Sequence, residues 1–122
     1  MGLFSRHSPE PLEDGSDRFD GPRLDLPGKV AVLFTVDWCP FCRSYESTWR
    51  DWNAPEGVQK LRVDISDESK HHWETFDIPI VPTVALFENG RLTWRQNGRA
   101  GLGLGKKDLE ALRQAAESRE GT

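Results

Sequence analysis

The sequence predicts an α/β domain in which a central mixed β-sheet is flanked by helices, in the order β-α-β-α-β-β-α. Three observations support this fold class. Apolar runs alternate with helix-like patterns in the first half of the chain, which indicates parallel pairing of successive strands. An Asn-Gly pair between the last two strand-like runs is typical of a tight antiparallel hairpin. An amphipathic pattern near the end predicts a closing helix.

The first strand is predicted over 30–36, a near-continuous run of β-favouring residues that suits a central strand covered on both faces. Pro40 follows at the expected first position of a helix, where its missing N–H leaves nothing unpaired. Aromatic residues then recur along one face for about three turns, and the Asn-Ala-Pro-Glu-Gly segment at 53–57 ends this helix.

The middle of the chain predicts a strand, a helix and an extended segment. Residues 58–65 alternate between apolar and polar, as a second strand would. A helix is predicted to begin with Ser66 as its cap and to run to about Phe76. Residues 78–82 must be extended, because each of their two prolines disfavours helix at the residue before it.

The last third predicts a hairpin and a helix. Strands are expected over 83–87 and 91–96, joined by Asn89-Gly90. A glycine-rich loop over 98–105 leads to a final helix with leucine and alanine on its apolar face.

Residues 1–27 are rich in Pro, Gly, Asp, Glu and Ser, with scattered apolar residues. We therefore expect an irregular N-terminal arm over 1–27, with one short strand near 23–26, before the α/β domain at 28–118 and a tail at 119–122.

Acidic residues outnumber basic ones by 20 to 16, for a net charge of −4. This balance argues against nucleic acid as a partner, which would need a basic face. No apolar run approaches the roughly 18 residues that span a bilayer, and the N-terminus lacks the apolar stretch of a secretory signal. We therefore expect a cytoplasmic protein without a membrane partner.

The chain has only two cysteines, in the spacing C-x-x-C, so it is not a disulfide scaffold. A zinc site would need two further ligands, and the histidines are His7, His71 and His72. His7 lies in the predicted arm, and adjacent histidines on a helix diverge by about 100°. We predict neither a metal site nor another cofactor.

Four motifs now point to a family. Trp38-Cys39-x-x-Cys42 follows a buried strand, Val81-Pro82-Thr83 precedes another, Phe87-Glu88-Asn89-Gly90 forms the hairpin, and Gly98 comes after the next strand. Together they resemble the thioredoxin family over residues 29–118. The resemblance implies a thioredoxin fold and a monomeric thiol-disulfide oxidoreductase that reduces protein disulfides. Its implied partners are disulfide-containing protein substrates and a recycling reductase.

The position of the cysteines at a helix start assigns their roles. The unpaired N–H groups and the dipole of the first turn stabilise a thiolate at Cys39, which we predict is the attacking thiol. Cys42 lies one turn further in and is the predicted resolving thiol. The resemblance implies that Pro82 is cis and that the Val81 backbone pairs with an extended substrate. The predicted substrate-binding residues are Trp38, Pro40, Phe41, Val81, Pro82, Gly98 and Arg99.

The sequence departs from the family at three places. The buried Asp that thioredoxins carry six residues before the first cysteine is Leu33 here, and the kinking proline of the following helix is Ser47. The dipeptide between the cysteines is Pro-Phe rather than Gly-Pro. Without the Asp, Cys42 needs another base, and Asp37 and Lys60 are the supporting candidates. Lys60 matches a thioredoxin lysine that lies near the missing acid.

Two alternatives to a protein-disulfide reductase remain open. Pro-Phe is closer to the Pro-Tyr of glutaredoxins and suggests a glutathione-dependent oxidoreductase, although the glycine-pair-plus-Asp element that binds glutathione is not apparent after the hairpin. Alternatively, the chain is not an enzyme. Its cysteines would then hold a metal or an iron–sulfur cluster shared between two chains, or the domain would be a redox-dependent adaptor.

Overall fold

The computed structural model describes residues 14–118. Residues 1–13 of the predicted arm, including His7, and the predicted tail at 119–122 lie outside the described residues.

The described part of the arm packs against the domain. It contains a 3₁₀ turn, Ser16–Arg18, and two short antiparallel strands, β1 (Phe19–Asp20) and β2 (Arg23–Leu24). Leu24 is fully buried, and the Phe19 ring lies 5.3 Å from that of Phe76 with an edge-on geometry. The short strand expected near 23–26 corresponds to β2, whereas β1 and the packing of Phe19 and Leu24 on the core were not expected.

The described part of the chain forms a main sheet of four strands, β3 (Lys29–Thr35), β4 (Val58–Asp64), β5 (Thr83–Glu88) and β6 (Arg91–Asn97), in the spatial order β4-β3-β5-β6. β4 pairs with β3 in parallel, whereas β5 pairs with β3 and β6 with β5 antiparallel. The sheet is mixed, as the sequence predicts. The register places Thr35 beside Asp64, at the end of the sheet where the cysteines follow.

Within residues 14–118, three helices flank this sheet: α1 (Pro40–Asp51), α2 (His72–Thr75) and α3 (Lys106–Ser118). α1 and α3 cover one face, where their apolar residues cluster with Leu33 and Ala31 of β3. The opposite face of β3 packs against β2 and the region around α2. The central strand is thus buried on both faces, which explains its uninterrupted apolar run.

The helix predicted over 66–76 is wrong in extent. The structure has a 3₁₀ turn at Glu68–Lys70 and then the four-residue α2. Asp67 caps the turn by accepting the Ser69 N–H, and His71 adopts a left-handed conformation (φ 60°) that separates the two pieces. The buried His72 ring contacts the carbonyl of Ser16 at 3.0 Å, a tertiary contact that positions α2.

Candidate active site

The two cysteines lie where β3 has ended and α1 begins. Cys39 is the N-cap of α1, with extended backbone angles (φ −96°, ψ 115°), and Pro40 is the first helical residue. Pro40 suits this position because its fixed φ matches the helix and its absent N–H needs no partner. The backbone N–H of Cys42 donates to Sγ of Cys39 at 3.1 Å. This contact stabilises negative charge on the Cys39 sulfur.

Cys42 is one turn further along and differs from Cys39 in burial. Both are free thiols, Cys39 partly exposed and Cys42 buried. Burial, and then a hydrogen bond with Cys39, raise the pKa of the Cys42 thiol to about 12. Hydrogen bonds to the Thr35 side chain and the Val36 backbone act in the opposite direction. A substrate can therefore reach Cys39, while Cys42 is held protonated behind it.

The segment before β5 faces Cys39. The peptide bond between Val81 and Pro82 is cis. Sγ of Cys39 lies 3.9 Å from the carbonyl oxygen of Val81, within the range of a hydrogen bond from sulfur. Pro82 is buried, and Val81 packs beside the apolar cluster that contains Cys42. The structure thus brings these two predicted residues to the dithiol.

Gly98 and Arg99 differ in how they relate to this site. A Cβ on Gly98 would lie 2.5 Å from the carbonyl oxygen of Pro82, so only glycine permits this close backbone approach. The Arg99 guanidinium turns away and makes two 3.0 Å hydrogen bonds to the carboxylate of Asp108 in α3. Gly98 therefore supports the segment that faces the cysteines, whereas the side chain of Arg99 anchors the following loop to α3.

Three exposed apolar side chains lie near the start of α1, and we define them as the apolar rim: Trp38, Phe41 and Leu102. Their exposed fractions are 62%, 46% and 73%. Gly103 packs against the Phe41 ring, because a Cβ there would lie 3.4 Å from it. Leu102 lines a groove with Phe41 and was not predicted from the sequence. The signal was present, since a leucine between two glycines of positive φ stands at the tip of a tight loop.

Lys60 does not lie at the dithiol, which corrects its prediction as a supporting base. Its Nζ donates to the carbonyl oxygens of Trp49 and Trp52 at 2.6 Å each and to that of Arg50 at 3.2 Å. These carbonyls end α1, whereas the cysteines begin it. Partial burial lowers the pKa of Lys60. The position explains the error: a cation at a helix C-terminus pairs with the unsatisfied carbonyls.

Asp37, the other predicted supporting residue, lies just before the dithiol and is exposed. Its backbone N–H donates to Oγ of Ser66 at 3.0 Å. The neighbouring carboxylate of Asp64 raises the pKa of Asp37, by charge repulsion first and by a shared hydrogen bond second. Asp37 is therefore coupled to Asp64, on the neighbouring strand.

A partly buried polar cluster near Cys42 was not predicted, and we define it as Thr35, Glu46 and Arg62. Oγ1 of Thr35 donates to Oε2 of Glu46 at 3.1 Å. Nε of Arg62 lies 3.2 Å from the same oxygen, as an ion pair without the alignment of a hydrogen bond. The β3–β4 register and the helical spacing of Cys42 and Glu46 bring this cluster together. Neither is visible as a short sequence motif.

Residues 14–118 offer neither a metal cluster nor a membrane span. Within that range, no three His, Cys, Asp or Glu side chains are grouped so that they could hold a metal ion. No helix in the same range is long and apolar enough to cross a membrane.

Fold and site together define a dithiol protein of the α/β class. The thioredoxin family model matches residues 16–114, most of the chain, so this protein belongs to the thioredoxin family. Membership indicates a thiol-disulfide oxidoreductase in general, and it confirms the family that the motifs resemble.

Solved structures give the same fold. Thioredoxin f2 from Chlamydomonas reinhardtii is 19% identical with a TM-score of 0.65, over 89% of this chain and 97% of that one. Spinach chloroplast thioredoxin f (short form) is 20% identical with a TM-score of 0.60, over 75% and 79%. A thioredoxin f2 in a complex with ferredoxin:thioredoxin reductase is 18% identical with a TM-score of 0.62, over 75% and 79%. These likenesses confirm the thioredoxin fold.

Proposed function

We propose that this protein reduces disulfide bonds in protein substrates, with Cys39 as the attacking thiol and Cys42 as the resolving thiol. The observation that carries the proposal is the position of Cys39. Its sulfur is partly exposed, accepts an N–H at the start of α1 and faces the Val81 carbonyl, while Cys42 is buried one turn behind.

The reaction consists of two exchanges. The Cys39 thiolate attacks one sulfur of the substrate disulfide, a mixed disulfide forms, and the other substrate sulfur leaves as a thiolate. The Cys42 thiolate then attacks the Cys39 sulfur, which releases the second substrate thiolate. Two electrons have passed to the substrate, and Cys39 and Cys42 are joined in a disulfide. A reductase must return both to thiols, as the neighbour in complex with ferredoxin:thioredoxin reductase suggests.

Substrate binding is proposed to use backbone and apolar contacts. An extended substrate segment would pair with the Val81 backbone by strand addition, which gives affinity independent of sequence. The apolar rim of Trp38, Phe41 and Leu102 would cover the residues that flank the substrate cystine. Gly98 would keep the groove floor close to Pro82. A monomer in the cytoplasm remains part of this proposal.

A trapping experiment tests the two roles. Cys42→Ser should form a lasting mixed disulfide with insulin through Cys39, whereas Cys39→Ser should form none. Two variants that trap equally would refute the assignment. The wild-type protein, equilibrated with glutathione and dithiothreitol buffers, gives the reduction potential of the pair. A value of about −270 mV supports a reductant, and one of about −120 to −180 mV indicates an oxidase or isomerase.

Glutathione dependence separates the glutaredoxin-like alternative. Reduction of insulin by the reduced protein should proceed at the same rate with and without glutathione. A rate that requires glutathione would favour the alternative. Metal or colour in the purified protein would favour the non-enzymatic one.

A further inference from the structure

The resolving step needs a base that the family's usual position does not supply. Leu33 stands where thioredoxins carry a buried Asp, and it is fully buried in the apolar cluster with Tyr45 and Trp49. The Cys42 thiol has a pKa of about 12, chiefly because it is buried. A thiol must lose its proton before it can attack a disulfide. An inference about this base rests on the proposed function, because the base acts in the second exchange of that reaction.

The side chain that best meets this requirement is that of Thr35. It lies two residues beyond Leu33 on the same face of β3 and is fully buried. The Thr35 side chain favours the Cys42 thiolate and lowers the pKa of that thiol against the effect of burial. The same Oγ1 donates to Oε2 of Glu46 at 3.1 Å. Thr35 therefore stands between a buried thiol and a carboxylate.

Glu46 is placed by the geometry of α1. It follows Cys42 by four residues, so the two side chains lie on the same face of the helix. Its side chain is 21% exposed, which leaves a route for a proton between the carboxylate and solvent. A buried sulfur thus has a path to water through one hydroxyl and one carboxylate.

The charges that face Glu46 come from the neighbouring strand and loop. Arg62 of β4 lies 3.2 Å from Oε2 of Glu46 and 3.8 Å from a carboxylate oxygen of Asp64. Asp64 is in turn coupled to Asp37, whose pKa it raises. Arg62 therefore offsets the cost of placing the Glu46 carboxylate beside the core. Its guanidinium interacts with the carboxylates of Glu46, Asp64 and Asp37.

We propose that Thr35 and Glu46 form a proton relay that activates Cys42 in the resolving step. The Cys42 thiol gives its proton to Oγ1 of Thr35 while Thr35 passes its own proton to Oε2 of Glu46. The Cys42 sulfur then attacks the Cys39 sulfur, the Cys39–substrate bond breaks, and the substrate sulfur leaves with the electron pair. The proton on Glu46 passes to solvent. Glu46 does not touch the reacting sulfurs. It accepts the proton through Thr35 and is therefore a positioning residue.

Single-turnover kinetics with dithiobis(nitrobenzoate), the protein in excess, can test the relay. Each exchange releases one coloured thiolate, so a first phase reports attack by Cys39 and a second reports attack by Cys42. The variants are Thr35→Val, which removes the hydroxyl with little change of shape, and Glu46→Gln, which keeps an acceptor oxygen for Thr35. Thr35→Ser retains the hydroxyl and is the matched control.

We expect the first phase to stay within about twofold of wild type in all three variants. The second phase should slow by at least about tenfold in Thr35→Val and Glu46→Gln, since acid–base assistance contributes about 10²–10⁴-fold. In these two variants the rate of the second phase should also rise more steeply with pH, towards about tenfold per pH unit, because the unassisted thiol must ionise by itself. Thr35→Ser should resemble wild type in rate and slope.

Other outcomes have distinct meanings. A second phase that keeps its wild-type rate and pH slope in Thr35→Val and Glu46→Gln would overturn the relay, as would equal slowing of both phases. If Thr35→Val does not fold, Glu46→Gln alone decides, because its side chain is partly exposed and its shape is conserved. A wild-type protein that releases only one thiolate would refute the proposed function itself, and so separates the two failures.

Discussion

Replacing Lys60 by methionine should destabilise the fold without affecting the dithiol. The ammonium of Lys60 holds three carbonyls at the end of α1, with Nζ–O distances of 2.6, 2.6 and 3.2 Å. It also lies over the rings of Trp49 and Trp52, 5.6 and 5.9 Å from their centroids. Hydrogen bonds to a charged group contribute about 1.5–3 kcal/mol. Water can replace part of this at a half-buried site, so we expect a loss of about 1–2 kcal/mol.

Methionine keeps most of the lysine stem and its packing on the two tryptophans, so the variant removes mainly the charge and its donors. Thermal unfolding should show a midpoint lower by about 4–8 °C for a domain of this size. Lys60→Arg should recover part of the loss, because it keeps a cation at the helix end. Both phases of the dithiobis(nitrobenzoate) reaction should remain at wild-type rates. An unchanged midpoint with a slower second phase would refute the structural role and restore Lys60 as a base for Cys42.

Three other contacts predict measurable effects of their own. Gly98→Ala should lower stability by about 1–3 kcal/mol in urea unfolding and slow the first phase, because the new methyl group meets the Pro82 carbonyl; wild-type stability would contradict the close approach. Arg99 holds the pKa of Asp108 below its usual range, so the stabilisation is present above the unfolded carboxyl pKa near 3.9 and is lost as pH falls through the lower folded value. The unfolding midpoint of Asp108→Asn should therefore be lower than that of the wild type at pH 7, and in thermal scans it should change less between about pH 2 and 5. Midpoints of wild type and variant that change with pH in parallel would contradict this. Leu102→Ser should raise KM for insulin by about three- to tenfold at constant stability, since each 1.4 kcal/mol of lost contact energy is a tenfold change. The rates with dithiobis(nitrobenzoate) should not change. An equal loss with both substrates would argue against a contact between the rim and the protein substrate.

The sequence predicted those elements whose signals are local. Each of these signals acts through the backbone conformation of a few neighbouring residues. They are the apolar run that forms β3, the proline at the first position of α1 and the Asn89-Gly90 turn. The predicted strand over 30–36 and the observed β3 at Lys29–Thr35 differ by one residue at each end. Such boundaries shift because the strand ends where its partners end, and β4 stops at Asp64.

Elements set by tertiary contacts were predicted poorly. Helical signals over 66–76 were real but weaker than the left-handed turn at His71 and the contact of His72 with Ser16. Phe19 and Leu24 looked like scattered apolar residues of an arm, although both enter the core. Their role depends on a second surface that the sequence around them does not reveal.

The place of the acid near Cys42 follows from the cost of burying charge. At Leu33 a carboxylate would be surrounded by Tyr45, Trp49 and aliphatic residues of α3. Its register partner on β4 is Arg62, whose side chain is already paired with Glu46 and Asp64. An ionised carboxylate in such a place loses several kcal/mol of hydration, and its pKa rises instead. Glu46 lies on the helix one turn after Cys42 and is hydrogen-bonded to Thr35, and Arg62 and solvent compensate its charge there. The chain can therefore keep an apolar centre and an ionised group near the dithiol, provided that a hydroxyl such as that of Thr35 spans the gap. An Asp introduced at Leu33 in the Glu46→Gln background should accordingly recover the second phase, but only at a loss of stability that the wild-type arrangement avoids.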